Sequence, residues 1–431
     1  MEPPLQCIVQ IRRQLSFADA AADLRDQVPI QAQRHFFLTG HTAILPEVGN
    51  AEKPLFGRPS PAAFPETSRR DMEWHRYAWQ MILRRLILAA ALVGLPAGAT
   101  VAAPVQPGPI VVGHGVVGGR AVAFLKVRLD AVRVRVGLAD GRPGRLESLD
   151  GIARRSGAVA AINGGDYEAY GNAPIRNPNH TLITGGGLMF KGDVGDVLWF
   201  DQFGRAQIDR VPLKIEGGLD GRWKWPNNWY AYWINRFPSG TNDTITIFTP
   251  EWGERTGLAG GPQVQVADGV VTAIQNSSTI IPRSGFVVYF RGEAKAASHF
   301  TVGRTAQYRV VRSNGEPMGA FANAREAIGC GPRLVTDGRI TVDPVSEGFR
   351  DPKIVSMSAA RSAVGLTRDG TTMILATSDG TTRQMAGVML GLGAYQAMAF
   401  DGGASSGLWF RGTYITEPGR PLNNALLVLA K

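Results

Sequence analysis

The residues of this sequence that could carry out chemistry are concentrated in glycine-rich turns after short apolar strands. Such turns let a rigid scaffold present polar groups at strand ends. Four of them stand out: Asn163-Gly164-Gly165-Asp166-Tyr167, Gly329-Cys330-Gly331-Pro332-Arg333-Leu334-Val335-Thr336-Asp337-Gly338, Ala360-Arg361-Ser362-Ala363-Val364-Gly365 and Asp401-Gly402-Gly403-Ala404-Ser405-Ser406. Together they offer carboxylates, planar arginine forks and backbone N–H groups, which suit chemistry beside a bound anion.

Two other patterns fit common catalytic motifs but lack the context that those motifs need. Gly113-His-Gly115-Val-Val-Gly118 has dinucleotide-binding spacing, yet a strand follows it where a helix must face the pyrophosphate. Gly403-Ala-Ser405-Ser-Gly407 fits the nucleophile elbow of serine hydrolases, but the last histidine, His299, precedes it. A serine esterase acting through Ser405 stays as an alternative that fluorophosphonate labelling would reveal. Metal-site signatures are absent from the sequence, so neither a metal nor a cofactor is expected.

In their order and wording, the four turns resemble the motifs of the phosphodiester glycosidase family. That family includes the lysosomal enzyme that removes N-acetylglucosamine to uncover mannose 6-phosphate, together with many bacterial exopolysaccharide-related proteins. The resemblance runs from about Ala121 to the C-terminus and includes the closing Asn423-Asn-Ala-Leu-Leu-Val-Leu. The chain departs from the family pattern at Asp166, where an aromatic residue is usual, and at Ala404, where a third glycine is usual.

The resemblance implies one active-site cleft and the residues that line it. The catalytic candidates are Asp401, Arg361, Asn163 and Asp166, and the substrate-binding candidates are Gly164, Gly165, Gly402, Gly403, Ser405, Ser406 and Arg333. In this interpretation Arg361 clamps a phosphate, Asp401 acts as base or nucleophile at the sugar, and Asp166 is a second carboxylate. A phosphomonoester, whose second pKa is about 6, leaves without strong general-acid help.

Several of these residues also have a purely structural interpretation. Asp or Asn before Gly-Gly often forms an Asx-turn, and Asp337 is expected to serve a hairpin turn. We expect His180 to be a structural hydrogen-bonding residue and Cys330 a small buried one. The aromatic residues of the segment 223–233 could form a sugar-stacking platform, but their pattern favours packing.

Short strands must position these turns. Ala121–Leu129 alternates apolar and basic residues, and Asp268-Gly269 separates two strand-like runs as a hairpin turn would. Helices are expected over Leu149–Arg155 and about Thr382–Leu392, where apolar residues recur at helical spacing. We therefore predict the α+β class: a single domain of mostly antiparallel or mixed sheet with a few packed helices.

Residues 81–103 have the layout of a signal peptide. Arg84-Arg85 precedes the apolar run Leu86–Leu95, which is too short for the roughly 20 residues of a membrane span. Ala97-Gly98-Ala99 supplies a small-x-small cleavage pattern, and prolines follow. The pattern predicts a secreted or periplasmic protein without a stable transmembrane anchor.

The preceding residues 1–80 are rich in Pro, Gln and Arg and show no helical or strand period. They are interpreted as a disordered or miscalled N-terminal extension, with Met72 or Met81 as the true start. The functional domain is predicted over 104–431. Because Cys7 lies in the extension and Cys330 in the domain, no disulfide is expected within the domain.

The formal net charge of +10 would favour a polyanionic partner. Since the chain has no Lys/Arg run or basic helix, nucleic acid is not expected as that partner. The predicted function is an exported hydrolase that cleaves sugar-1-phosphodiesters in an envelope or exopolysaccharide glycan. The alternative is a non-catalytic glycan-binding or polysaccharide-assembly protein of the cell envelope.

Overall fold

The computed structural model describes residues 108–431, except 171–172 and 240–241. The extension predicted over residues 1–80 and the signal peptide predicted over 81–103 lie outside the described residues. The described residues belong to one compact unit. None of the helices in this part of the chain has the length and apolarity that a membrane span requires.

Strands are the main regular secondary structure of the described residues. In chain order they are β1 (Ile110–Val117), β2 (Arg120–Arg128), β3 (Val132–Leu138), β4 (Ala160–Asn163), β5 (Leu182–Thr184), β6 (Gly187–Phe190), β7 (Asp196–Asp201), β8 (Ala206–Asp209), β9 (Leu213–Leu219), β10 (Asn228–Ala231), β11 (Trp233–Ile234), β12 (Thr244–Phe248), β13 (Gln263–Ala267), β14 (Val270–Gln275), β15 (Gly285–Arg291), β16 (Ala306–Arg312), β17 (Ala324–Cys330), β18 (Arg333–Thr336), β19 (Arg339–Ile340), β20 (Ala359–Leu366), β21 (Thr372–Gly380), β22 (Gln396–Phe400), β23 (Leu408–Phe410), β24 (Thr413–Thr416) and β25 (Asn424–Ala430). The α-helices are α1 (Leu149–Arg155), α2 (Ala294–Ala297), α3 (Pro352–Val355) and α4 (Thr382–Gly391).

Within residues 108–431 the strands form five sheets. The largest has the order β1-β2-β21-β20-β22-β18-β19; the others are β24-β23-β4-β25-β3, β6-β5-β17-β7-β8, β11-β12-β15-β13-β14 and β10-β9-β16. Neighbouring strands are antiparallel apart from β11 and β12. The predicted hairpin at Asp268-Gly269 joins β13 to β14, and both turn residues have positive φ, as a type I′ turn requires.

Two of the hydrophobic clusters in the described chain pack these sheets on one another. The larger core packs three sheets on one another through fully buried residues such as Leu125, Ile162 and Phe190. A second core, with Ile215, Trp229 and Phe290, lies between the sheets of β9 to β16 and defines a separate lobe, which we call the β9–β16 lobe. Each fully buried side chain of this size contributes about 1.5–3 kcal/mol, so both cores are substantial.

The predicted α+β class is wrong, because the described chain is mostly β. Both predicted helices exist, and Thr381 caps α4 through a capping box with Gln384. However, α2 and α3 have only four residues each. The larger core contains no α-helical residue among those described, since its sheets pack on sheets rather than on helices. Helices α1 and α4 instead add smaller clusters beside it.

Candidate active site

Asn163, the last residue of β4, ties the first glycine-rich turn to the last one. Its side chain is 1% exposed, and its Nδ2 donates to the Asp401 carbonyl over 2.8 Å. Its Oδ1 accepts from the Gly407 N–H at 3.0 Å. Because both ends of the amide hold the backbone of the 401–407 turn, Asn163 positions that turn.

Gly164 and Gly165 allow three chain segments to approach closely. A Cβ at Gly164 would collide with the Asn424 side chain, and one at Gly165 with the Gly329 carbonyl. The N–H groups of both glycines are already bonded to Asn424, at 3.1 Å to its carbonyl and 2.9 Å to its Oδ1. These two glycines therefore pack the site, and their N–H groups are not available to a bound anion.

The Asp401 carboxylate lies in the turn after β22 and is held by Arg420. Arg420 Nη2 donates to Asp401 Oδ2 over 2.9 Å, and its Nε donates to Ser405 Oγ over 2.7 Å. Burial and the negative charge of Asp166 raise the pKa of the Asp401 carboxyl, while Ser405 and Arg420 lower it, and the net direction is upward. A carboxylate of this kind is a stronger base than an ordinary aspartate.

Asp166 is the second carboxylate of the site, and its environment is different. One oxygen contacts His180 Nε2, and the other accepts from Asn179 Nδ2 at 2.7 Å. Burial raises the pKa of Asp166, but the charge and hydrogen bonds of His180 and Asn179 outweigh it and lower the pKa to about 2. Asp166 is therefore ionised at neutral pH.

The partner of Asp166, His180, is 2% exposed. Burial lowers its pKa, but the contact with Asp166 outweighs burial, so the pKa is raised. Its other ring nitrogen, Nδ1, lies 3.0 Å from the Val194 carbonyl. Since both ring nitrogens face acceptors, the geometry fits an imidazolium paired with the Asp166 carboxylate.

Arg361, on β20, is anchored by backbone carbonyls. Its Nε donates to the Gly380 carbonyl at 2.9 Å, and its Nη2 donates to the carbonyls of Lys353 and Met357, both at 2.6 Å. The side chain is 7% exposed, and burial lowers its pKa while Asp401 raises it. Nη1 lies against Gly402 and bonds no acceptor among the described residues, so this end of the guanidinium is left for a ligand.

The serines and glycines of the last turn divide into two groups. Ser405 and Ser406 are buried, and their N–H groups bond the carbonyls of Gly402 and Gly403. Ser406 Oγ is buried and has no hydrogen-bond partner in the described structure. Ser406 and Arg361 both line a cavity of about 320 Å³. Asp401 does not line that cavity.

Gly402 and Gly403 donate no N–H hydrogen bond to the described residues, and Gly403 needs its positive φ of 61°.

Arg333 is not connected to this group by any contact in the described part of the chain. Its Nε pairs with Asp196, Nη1 donates to Gln396 at 2.9 Å, and Nη2 donates to the Ile208 carbonyl at 2.7 Å. All three nitrogens are thus committed to the protein. Asp337 has a positive φ in the β18–β19 hairpin, consistent with its expected turn role.

The chain is similar to known proteins in sequence and in fold. Residues 260–429 match the family model described as phosphodiester glycosidase. The resemblance to this family is confirmed. The matched segment contains Arg361, Asp401, Ser405 and Arg420, whereas Asp166 precedes it. No curated protein matches the chain.

Solved structures share the fold. A hypothetical protein from Synechocystis aligns with a TM-score of 0.64 at 23% identity over 75% of this chain and 62% of that one, so the chain spans about three fifths of that protein. A Burkholderia pseudomallei protein whose description suggests export aligns with a TM-score of 0.59 at 19% identity, over 72% and 74% of the two chains. The zebrafish N-acetylglucosamine-1-phosphodiester alpha-N-acetylglucosaminidase catalytic domain aligns with a TM-score of only 0.35 at 13% identity, over 75% and 82% of the two chains.

Asp166, His180 and Cys330 bring three possible metal ligands within 4.8 Å of one another. A carboxylate, an imidazole and a thiolate together would suit Zn²⁺. In this structure, however, the carboxylate and imidazole bond each other directly. Burial and the charges of Asp166 and Asp401 raise the pKa of the Cys330 thiol well above its usual value. The trio is therefore best described as an ion pair beside a neutral thiol.

The sequence analysis missed two residues that shape this site, Arg420 and Asn424. Arg420 lies over the Tyr167 ring, 5.0 Å from its centroid, and holds Asp401. Asn424 holds Gly165 through both its amide atoms. The sequence did contain a signal for them, because Asn424 lies in the closing motif that begins at Asn423, and Arg420 lies three residues before it. His180 was expected to be structural, and its contact with Asp166 joins it to the site.

Proposed function

We propose that this protein is a phosphodiester glycosidase, a hydrolase that cleaves the bond between a sugar's anomeric carbon and a phosphodiester oxygen. The proposal rests on two groups that lie near each other within the segment matched by the family model. A desolvated carboxylate, Asp401, lies within electrostatic reach of an arginine, Arg361, whose Nη1 has no acceptor in the described structure. The two groups match the two halves of such a substrate.

Arg361 is proposed to bind the phosphate. Three carbonyls fix the plane of its guanidinium, so little rotamer entropy is lost when a ligand binds. No carboxylate pairs with this buried charge among the described residues, and a phosphate oxygen would compensate it. The free N–H groups of Gly402 and Gly403 lie in the adjacent turn and would add donors to the same anion.

Asp401 is proposed to act at the anomeric carbon, either by attacking it or by taking a proton from the attacking water. The raised pKa strengthens the carboxylate in both roles. The electrons of the breaking C–O bond pass to the phosphate oxygen, and water supplies the hydroxyl on the sugar. Because a phosphomonoester leaves readily, Arg361 can stabilise the leaving group without a dedicated general acid.

Asp166 is proposed to stabilise the positive charge of the oxocarbenium-like transition state rather than to form a bond. Both of its oxygens are already engaged, by His180 and Asn179, which disfavours a nucleophilic role. Its low pKa keeps it charged throughout the reaction. The proposed reaction requires no metal or cofactor.

An envelope or exopolysaccharide substrate and an exported, secreted or periplasmic location are also part of the proposal. The signal-peptide layout of residues 81–103 supports export, and so does the fold shared with the Burkholderia pseudomallei protein. A non-catalytic glycan-binding protein is the second candidate, and turnover decides between them.

The test is release of reducing sugar from UDP-N-acetylglucosamine and from synthetic methyl phosphodiesters of hexose 1-phosphates. We expect the purified protein to release sugar in equal amount with UDP from the first substrate and with methyl phosphate from the others. Matched p-nitrophenyl glycosides should stay intact because they offer Arg361 no phosphate. Failure to hydrolyse any phosphodiester of the panel, with glycan binding retained, would support the non-catalytic alternative. Fluorophosphonate labelling of Ser405 would instead support an esterase, although its hydroxyl accepts from Arg420 and no histidine contacts it in the described structure.

A further inference from the structure

A second cleft lies on the β9–β16 lobe, away from the Asp401 turn. Its volume of about 650 Å³ falls within the roughly 300–1,000 Å³ typical of ligand sites. Its lining combines aromatic side chains with charged ones, including Tyr230, Tyr232 and Trp233 together with Glu216 and Arg309. None of these residues belongs to the proposed reaction centre.

Strand alternation explains why aromatic rings face this cleft. On β10, Trp229 is buried and packs on Phe300 in the lobe's core, whereas Tyr230 is 46% exposed. Tyr232, the residue after β10, is 42% exposed and meets Tyr230 edge to face. The packing expected for this aromatic segment thus accounts for Trp229 but leaves the two tyrosines without a core to fill.

The register of the sheet builds the floor of the cleft. Tyr230 of β10 lies opposite Glu216 of β9, which in turn lies opposite Arg309 of β16. Two residues along β9 from Glu216, Gly218 has no side chain, and a Cβ there would lie 3.0 Å from the Trp223 ring. Trp223 therefore rests on the sheet at Gly218, with the Arg309 guanidinium 4.6 Å from its ring centroid.

The charges of the cleft nearly balance, because three basic and two acidic side chains line it. Glu216 pairs with Lys214 at 2.8 Å and with Arg309 at 2.9 Å, and Lys191 pairs with Asp193. Ion pairs at solvent-accessible positions such as Glu216 contribute little to stability, and Lys191 itself is buried. They do present many hydrogen-bonding groups without a strong net field, so the cleft suits a ligand that is rich in hydroxyls and carries little charge.

Two contact paths connect this cleft to Asp166. Lys191 and Asp193 line the cleft, and the next residue, Val194, accepts the hydrogen bond from His180, which pairs with Asp166. On the other side, Arg236 lies 4.4 Å from the centroid of the Trp233 ring and pairs with Glu168, two residues beyond Asp166. The cleft is therefore built on the same loops that support the candidate active site.

We propose that this cleft is a glycan-binding subsite that takes pyranose units of a polysaccharide remote from the phosphodiester bond. Aromatic rings stack on the C–H face of a pyranose, and the paired charges bind its hydroxyls. Its place as a subsite of the enzyme rests on the proposed function, whereas binding itself does not. Polysaccharide binding that the tyrosine substitutions weaken would identify a glycan as the occupant of this cleft, whereas its absence would leave a peptide or protein as the occupant.

The experiment measures binding of the full-length protein to an array of bacterial capsular and extracellular polysaccharides and their monosaccharides. We expect wild type to bind at least one polysaccharide more tightly than its monosaccharide. The double variant Tyr230→Ala/Tyr232→Ala should lose at least about tenfold in affinity, equivalent to 1.4 kcal/mol. Phe203→Ala removes a 74% exposed aromatic residue from the β7–β8 turn and should bind as wild type.

Hydrolysis of a small methyl phosphodiester separates this proposal from the proposed function. The tyrosine variants should hydrolyse it at the wild-type rate, because the small substrate does not reach the cleft. If the double variant unfolds, the single Tyr232→Ala variant replaces it, with circular dichroism confirming its fold. Absence of polysaccharide binding by wild type, equal binding by the tyrosine variant, or an equal loss in Phe203→Ala would each overturn the subsite. Polysaccharide binding without phosphodiester turnover would instead refute the proposed function alone.

Discussion

Arg420 binds the Asp401 carboxylate, with Nη2 2.9 Å from Oδ2, and Arg361 does not. The two arginines therefore have different tasks around one carboxylate. Arg420 has its Nε on Ser405 and its Nη2 on Asp401, so its planar fork orients the candidate base. Arg361 is anchored by carbonyls instead, which leaves its charge available to an anionic ligand.

The first prediction concerns Arg420→Lys. Lysine keeps the charge but cannot bind Ser405 and Asp401 at once, so the carboxylate should lose its orientation. We expect kcat/KM to fall on the order of a hundredfold, as misplacement of a catalytic group does. The acidic limb of the pH–rate profile should also move to higher pH, because Arg420 lowers the pKa of Asp401. Arg411→Lys is the control, and an unchanged profile in Arg420→Lys would refute this role.

Arg361→Lys tests the phosphate clamp. A charge-assisted hydrogen bond contributes about 1.5–3 kcal/mol, so KM for a phosphodiester should rise roughly tenfold to a hundredfold. Arg333→Lys is a matched control, because its guanidinium is bound to Asp196, Gln396 and the Ile208 carbonyl. It should lower the unfolding temperature and leave KM unchanged. Equal changes in KM for the two variants would count against the assignment of Arg361.

Asn163→Asp tests whether Asn163 positions the 401–407 turn. Aspartate can still accept from the Gly407 N–H, but it cannot donate to the Asp401 carbonyl. Leaving that buried carbonyl unpaired should lower the free energy of unfolding by about 1–3 kcal/mol, measured by urea denaturation. Asn276→Asp, at an exposed position, is the control. A variant as stable as wild type would show that the Asn163 bridge is dispensable.

The raised pKa of Glu347 predicts that the stability of the protein depends on pH. Burial and the nearby Asp196 charge raise the pKa of Glu347 from 4.5 to about 7. The hydrogen bond that its carboxylate accepts from the Arg333 backbone N–H lowers the pKa, but by less. Between these values the folded protein binds this proton more tightly than the unfolded chain does, so stability falls as the pH rises towards 7 and beyond. Glu347→Gln should reduce the fall in unfolding temperature between pH 5 and pH 8. Exposed Glu316→Gln is the control, and an unaltered pH dependence in Glu347→Gln would exclude this contribution.

The sequence predicted site residues where the signal was local, as in a polar residue beside an apolar strand and a glycine-rich turn. Asn163, Arg361 and Asp401 each follow or lie on an apolar strand in a glycine-rich setting, and the structure brings their turns together. Arg333 occupies a similar setting, yet its fate depends on Asp196, which lies 137 positions away. Nothing local to Arg333 distinguishes an arginine that binds substrate from one that closes a buried ion pair.

The fold class could not be predicted from local periodicity, because it also depends on contacts between distant parts of the chain. The sequence predicted α1 and, from the spacing of its apolar residues, α4, but local periodicity could not show what the strands pack against. In the structure, Leu125, Ile162 and Phe190 come from three different sheets and meet in one core. Likewise, the alternation that buries Trp229 and exposes Tyr230 became visible only once β9 and β10 were paired.

The most direct test of the account is steady-state turnover of a small sugar phosphodiester by Asp401→Asn, with binding measured on the same substrate. Asparagine preserves the shape of the side chain and removes the carboxylate. We predict that kcat falls on the order of a thousandfold or more while the dissociation constant stays within a few-fold of wild type. Near-normal turnover by Asp401→Asn would contradict the mechanism and leave this residue a turn former.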